Sequence, residues 1–228
     1  MKLKYLSYLI LNVIRFFRLT ELYQPTYSPK KFWFWGKDIS KRNCEDRIAV
    51  IKENIDFSCI GSYLDIGSQL GYFVFRIAET NKNMIAQGLE MDKYASLYSS
   101  SIVSLNDIQN VSFLNTKITP EIVVALPNYD VISFLNVFHH IVHFEGFESA
   151  DKIMHEFYKK CNKYFIFETG QYDEKGYYWN ESISFMGNDS LKWINEYLLK
   201  IGYVKVNLLS TISTHLSPQK RGLFLCEK

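Results

Sequence analysis

Tyr63-Leu64-Asp65-Ile66-Gly67-Ser68-Gln69-Leu70-Gly71-Tyr72-Phe73 decides the reading of this chain: a short apolar run closes on an acid, two glycines follow, and a helical pattern begins. The stretch predicts a strand, a tight turn and a helix. Gly67 and Gly71 let the turn's backbone approach a ligand closely, and the unpaired N–H groups that open the next helix supply donors. Such geometry suits a nucleotide-like cofactor.

Two common cofactor motifs are excluded by the same residues. A dinucleotide fingerprint needs a glycine two positions after the first, where this chain has Gln69. A triphosphate loop ends in Gly-Lys-Ser/Thr, whereas here Gly71 is followed by Tyr72 and Phe73. A second apolar run, Met84 to Leu89, closes on Glu90, one strand and one helix after Asp65. That interval is close to the ~20 residues that place an acid at the end of a neighbouring strand to accept from ribose hydroxyls. Glu90 is the expected ribose ligand. Ser68, Gln69, Tyr72, Phe73, Met91 and Asn136 complete the expected cofactor contacts, with Arg42 opposite a cofactor carboxylate or an anionic substrate.

The Asp65-x-Gly67-x-x-x-Gly71 arrangement resembles the first motif of class I S-adenosylmethionine-dependent methyltransferases, whose turn wraps the amino-acid end of that cofactor. Gln69 stands in place of their usual middle glycine. The resemblance implies S-adenosylmethionine as the cofactor.

Beyond Glu90 the pattern alternates: helix near 92–105, strand 111–115, strand 131–136, helix near 148–161, strand 164–168 and helix near 190–201. Alternating strands and helices imply an α/β, Rossmann-like, mostly parallel sheet covered on both faces. Two further strands, 203–210 and 222–226, have only a polar segment with Pro218 between them and read as an antiparallel hairpin. This ending matches the seven-stranded methyltransferase sheet.

Ligands of open α/β sheets bind beyond the carboxyl ends of the strands. Asn136-Val137-Phe138-His139-His140-Ile141-Val142-His143 occupies such a place and holds three of the five histidines. Histidine exchanges protons most readily near neutral pH. A metal site is disfavoured because His139 and His140 are adjacent and are expected to point apart. This stretch, with Thr214-His215-Leu216-Ser217-Pro218 and Arg221, resembles the methyltransferase half of the bifunctional kinase-methyltransferases that cap bacterial O-antigen polymannose. The likeness covers roughly residues 64–224 and leaves out the kinase half. In that family the methyl group goes to a phosphate on the terminal sugar. The resemblance implies a phosphorylated sugar or surface glycan as acceptor, with phosphorylation done by a separate protein.

An anionic phosphate needs cationic anchors, for which His139, His140, His143, His215 and Arg221 are the candidates. A sugar hydroxyl needs a base instead, and His140 or His143 then takes that role. Tyr177, Tyr178 and Trp179 offer a weaker candidate for a carbohydrate-stacking wall. Other readings are methylation of a different small metabolite, or a silent cofactor-binding scaffold in a glycan-assembly complex.

At 228 residues with 47% hydrophobic residues, the chain holds one full-sized core. Residues 44–228 are assigned to the methyltransferase domain, and residues 1–43 to an amphipathic helix followed by an aromatic and basic lid around Phe32-Trp33-Phe34-Trp35. A net charge of +2 without an arginine-rich tract gives no reason to expect nucleic acid. Four scattered cysteines, with no C-x-x-C pair, argue against a zinc site or disulfide framework and fit a reducing cytoplasm. Lys2, Lys4, Arg15 and Arg18 flank an apolar run too short for a bilayer span, so residues 1–20 are expected either to lie on the inner face of the cytoplasmic membrane or to pack on protein, including a second copy of the chain.

Overall fold

The computed structural model describes residues 23–27, 44–214 and 219–228. The expected membrane helix at residues 1–20, the lid residues with Arg42, and His215 lie outside them.

Helix α1 is Glu45–Asn54. Strand β1, Ser62–Ile66, leads through the glycine turn into α2, Tyr72–Ala78. Then come β2, Ile85–Glu90, α3, Lys93–Leu105, and β3, Val111–Asn115. A short helix α4, Pro120–Ala125, precedes β4, Tyr129–Leu135. Helices α5, Phe138–Glu145, and α6, Phe147–Lys160, lead into β5, Cys161–Glu168. A 3-10 segment, Asn180–Met186, is followed by α7, Ser190–Ile201, and the chain closes with β6, Lys205–Ser213, and β7, Lys220–Glu227.

The strands form one sheet in the order β3-β2-β1-β4-β5-β7-β6. The first five pair in parallel; β7 inserts antiparallel between β5 and β6. Both edges of β1 are therefore covered, by β2 and β4, and strand order reverses there. Open α/β sheets bind ligands in the crevice above such a switch point, here between the ends of β1 and β4.

Period-two alternation assigns each strand's side chains to opposite faces. Leu64 and Ile66 of β1, with Ile132 and Phe134 of β4, enter the core shared with Met154, Phe157 and Leu198. Tyr63 and Val131 turn to the other face, beside Ile48, Ile51, Phe73 and Ile102. The same alternation puts Asp65 on the Tyr63 face.

Local details go beyond the sequence pattern. The histidine stretch forms a helix, α5. Helix α4 was not anticipated, although Pro120 at its first position and Thr119, which accepts from the Ile122 N–H, cap it in the usual way. The final hairpin reaches further toward its tip than its apolar pattern, with β6 running on to Ser213 and β7 starting at Lys220, because Thr211, Ile212 and Ser213 still pair with Gly222, Arg221 and Lys220. Among the described residues, no helix is long and apolar enough to cross a membrane.

Candidate active site

The glycine turn folds through three left-handed residues, Gly67 at φ 71°, Gln69 at φ 50° and Gly71 at φ 78°. Space as well as φ excludes side chains at the two glycines. A Cβ on Gly67 would sit 2.5 Å from Val137 Cγ2, and one on Gly71 would sit 2.4 Å from Phe113 Cζ. Gln69 adopts the left-handed conformation that a middle glycine adopts freely, so the turn keeps its shape despite the substitution. The Gly67 and Ser68 N–H groups both donate to the Leu89 carbonyl, which ties the turn to β2. Ser68 Oγ and Gln69 Oε1 are buried and have no hydrogen-bond partner among the described residues. Orphaned polar atoms in a turn backed against a glycine-lined wall fit a site for a polar cofactor.

Two carboxylates flank this turn. Asp65 is buried and accepts from Ser133 Oγ at 2.6 Å; Ser133 contacts the Tyr63 phenol at 2.7 Å. Glu90 accepts the Gln69 N–H on Oε2 at 2.8 Å and the Asp92 N–H on Oε1 at 2.7 Å. Each carboxylate oxygen has a second lone pair, so Glu90 can brace the turn and still accept from ribose hydroxyls. Met91, beside it, is largely exposed. Tyr72 and Phe73 are buried instead, the Tyr72 phenol bonded to the Glu45 carboxylate.

At the end of β4, Asn136 has φ 63° and sits in a buried polar network. Its Nδ2 donates to Glu168 Oε1 at 2.7 Å, and its Oδ1 accepts from Arg221 Nη1 at 2.6 Å. Arg47 grips Glu168 with Nε and Nη2 at 2.6 and 2.8 Å. Arg221 grips Glu174 with Nε and Nη2 at 2.7 and 2.8 Å. Arg221, expected to anchor an acceptor phosphate, is thus buried and shared between a carboxylate and an amide.

The histidines stand on α5, next to this network. His139 is buried against Trp179, with ring centroids 4.6 Å apart. Its Nδ1 accepts the Gly170 N–H at 2.9 Å and lies 3.1 Å from Thr169 Oγ1. A backbone N–H can only donate, so His139 is neutral with its proton on Nε2. His140 Nδ1 meets the Tyr178 hydroxyl at 2.9 Å, and His143 Nδ1 meets Ser182 Oγ at 2.9 Å. Burial, with lesser contributions from the positive charge of Arg221 and from His143, lowers the His140 pKa to about 4, so this imidazole is uncharged at neutral pH. His139 and His140 do not point apart; their rings lie 4.1 Å from each other. Successive helix residues diverge by roughly 100°, whereas strand residues alternate across opposite faces.

No protein-family model matches the chain. It is 24% identical over 214 residues to the O-antigen chain terminator bifunctional methyltransferase/kinase WbdD of Escherichia coli, a match covering 91% of this chain and 28% of that protein. A crystal structure of WbdD aligns with a TM-score of 0.76 at 24% identity, over 95% of this chain and 46% of the other. A SAM-dependent methyltransferase from Aquifex aeolicus aligns with a TM-score of 0.54 at 16% identity, over 79% and 89% of the two chains. The fold is that of the class I methyltransferases.

Within this methyltransferase fold, Asp65, the 67–71 turn, Glu90 and Asn136 gather around the switch point, with His139, His140 and His143 on the adjoining helix. Sequence reasoning missed Glu174 and the partnership of Arg47 with Glu168. Glu174 sits in a loop whose composition signals nothing; only the return of β7 brings Arg221 to it. Glu168 did carry a signal, as an acid closing an apolar strand.

Proposed function

We propose that this protein transfers a methyl group from S-adenosylmethionine to an oxygen of a sugar, within a surface glycan or its precursor. The observation that carries the reading is the contact between turn and helix: Val137, which leads into α5, brings its Cγ2 within 2.5 Å of where a Cβ of Gly67 would sit. The turn suited to the methyl donor thus lies directly against the start of the histidine helix, which supports donor and acceptor meeting there. The similarity to WbdD, whose name records an O-antigen chain terminator, supports the glycan context.

When bound, the cofactor supplies an electrophilic methyl on a sulfonium centre. Backbone groups of Gly67 to Gly71 would hold its amino-acid end, with the orphaned Ser68 and Gln69 oxygens as further partners, and Glu90 would accept from its ribose. Methyl displacement is in-line, so holding the acceptor oxygen close and aligned supplies much of the acceleration. His139 orients but takes no proton, because its basic nitrogen already receives the Gly170 N–H. His143 remains as proton acceptor for a hydroxyl, while His140, its pKa held near 4 by burial, is a much weaker base.

The described residues favour a hydroxyl over a phosphate. A phosphate needs cations, yet Arg221 is paired with Glu174 and His140 is uncharged at neutral pH. Tyr178, 60% exposed, and Phe144, 71% exposed, flank these imidazoles and offer faces on which a sugar ring can stack. We place this activity in the cytoplasm, at or near the membrane where such glycans are built.

Labelled S-adenosylmethionine with fractionated sugars, sugar phosphates and glycans tests the reading. Label in an alkali-stable methyl ether is expected. Label in a phosphate methyl ester would restore the phosphate alternative, and label in no sugar despite measurable cofactor binding would remove the glycan assignment.

A further inference from the structure

We propose that Arg221, Glu174, Arg47 and Glu168 are positioning residues that clamp the Asn136 side chain from both ends and so set the start of the histidine helix. The proposal deepens the methyltransferase reading and rests on it for the identity of the site, although the clamp itself is read from geometry alone.

Asn136 immediately precedes Val137, the N-cap of α5, and its left-handed backbone at φ 63° carries modest strain that its surroundings must hold. Three contacts hold it. Its N–H donates to the Glu168 carbonyl at 2.7 Å, its Nδ2 to Glu168 Oε1, and its Oδ1 accepts from Arg221. Each of those two partners is gripped in turn by two parallel hydrogen bonds, from Arg47 to Glu168 and from Arg221 to Glu174, the arrangement that adds most directional constraint to an ion pair. The four charged residues come from α1, β5, the loop after β5, and β7, so segments distant in sequence meet at one amide.

A purely cohesive role is a poor account of this arrangement. Buried ion pairs recover their desolvation cost only with good geometry, and apolar replacements of similar volume often fold as stably. What apolar side chains lack is the ability to orient an amide. The consequence reaches the catalytic wall directly. Val137, next to Asn136, packs against Gly67, and its carbonyl accepts the N–H groups of both His140 and Ile141. Arg221 also lies over the Trp179 ring, at 5.5 Å, and Trp179 packs on His139. Rotation of the Asn136 side chain would therefore move the glycine-turn contact and the histidine rings together.

Two variants separate positioning from bracing. Asn136→Gly keeps a residue that tolerates φ 63° but deletes the clamped amide. The double variant Arg221→Met with Glu174→Gln removes both charges together while keeping an acceptor for the Gln171 N–H, which now donates to Glu174. Hydrogen exchange of the His140 and Ile141 amides reports the start of α5 without any ligand. Exchange at both is expected to quicken by about tenfold or more in each variant, with amides of β1 unchanged and melting close to that of the wild type. Wild-type exchange at His140 and Ile141 in both variants would overturn the proposal, whatever happened to melting. Calorimetry with S-adenosylhomocysteine adds the functional arm, where about tenfold weaker binding is expected. Failure of the wild type to bind that probe would count against the cofactor reading alone.

Discussion

Gln69 is held in its left-handed turn by Glu90, whose Oε2 accepts the Gln69 N–H at 2.8 Å. The acid expected to serve the ribose thus also maintains the turn expected to face the cofactor, and one carboxylate links the ends of β1 and β2. A left-handed non-glycine residue costs about 1–2 kcal/mol, partly offset here by this hydrogen bond to a charged acceptor.

Gln69→Gly should relieve that strain at the expense of a more flexible unfolded chain. The expected outcome in urea unfolding is a variant equal to or more stable than the wild type, by up to about 1 kcal/mol. A clear loss of stability would show that the Gln69 side chain contributes packing that outweighs its backbone strain.

Gly71→Ala should do the opposite. The added Cβ meets Phe113 at 2.4 Å in a residue already at φ 78°, so both overpacking and backbone strain apply. A loss of about 2–5 kcal/mol is expected, read as a lowered thermal midpoint. Pairing it with Phe113→Leu should return part of the loss, since that removes the clashing ring edge while the φ penalty stays.

His140 gives the pH dependence. Its folded pKa of about 4 lies below the ~6.5 of an unfolded histidine, so between these values the unfolded chain binds a proton that the native state refuses. Stability from this group is complete above about pH 6.5 and declines as pH falls toward 4. An imidazole resonance of His140 with a midpoint near 4 is the expected NMR result; a midpoint near 6.5 would mean that the ring is solvated.

His139 should matter as an acceptor rather than as a base. His139→Ala leaves the buried Gly170 N–H without its partner, whereas His139→Asn can present an oxygen near the position of Nδ1. Denaturant titration should find the alanine variant less stable than the asparagine variant by about 1–3 kcal/mol. Equal losses would indicate that packing against Trp179 alone is at stake.

Local patterns made the sheet legible. Apolar runs closing on Asp65, Glu90, Asn136 and Glu168 marked strand ends because a buried strand is apolar over its length and turns polar where the crevice begins. Gly67 and Gly71 were readable for a related reason: close backbone contact forbids a Cβ, and that prohibition is visible in a single residue. Boundaries were less legible. The pairing that carries β6 to Ser213 and β7 back to Lys220 depends on cross-strand hydrogen bonds, to which polar residues contribute as well as apolar ones. The histidine stretch likewise gave no sign of helix start, for Val137 at its cap makes no side-chain capping bond.

Residue types and spacing by themselves determined the glycine turn, the paired acids, the alternating sheet with its terminal hairpin, and the presence of imidazoles beyond β4. Only the tertiary structure decided what the charges do. Arg221 follows Glu174 by an interval no motif describes, and Arg47 precedes Glu168 by most of the domain. Burial makes such pairing compulsory, because a charge removed from water must find an opposite charge or donors nearby, and which one it finds is settled by where the sheet brings the strands together.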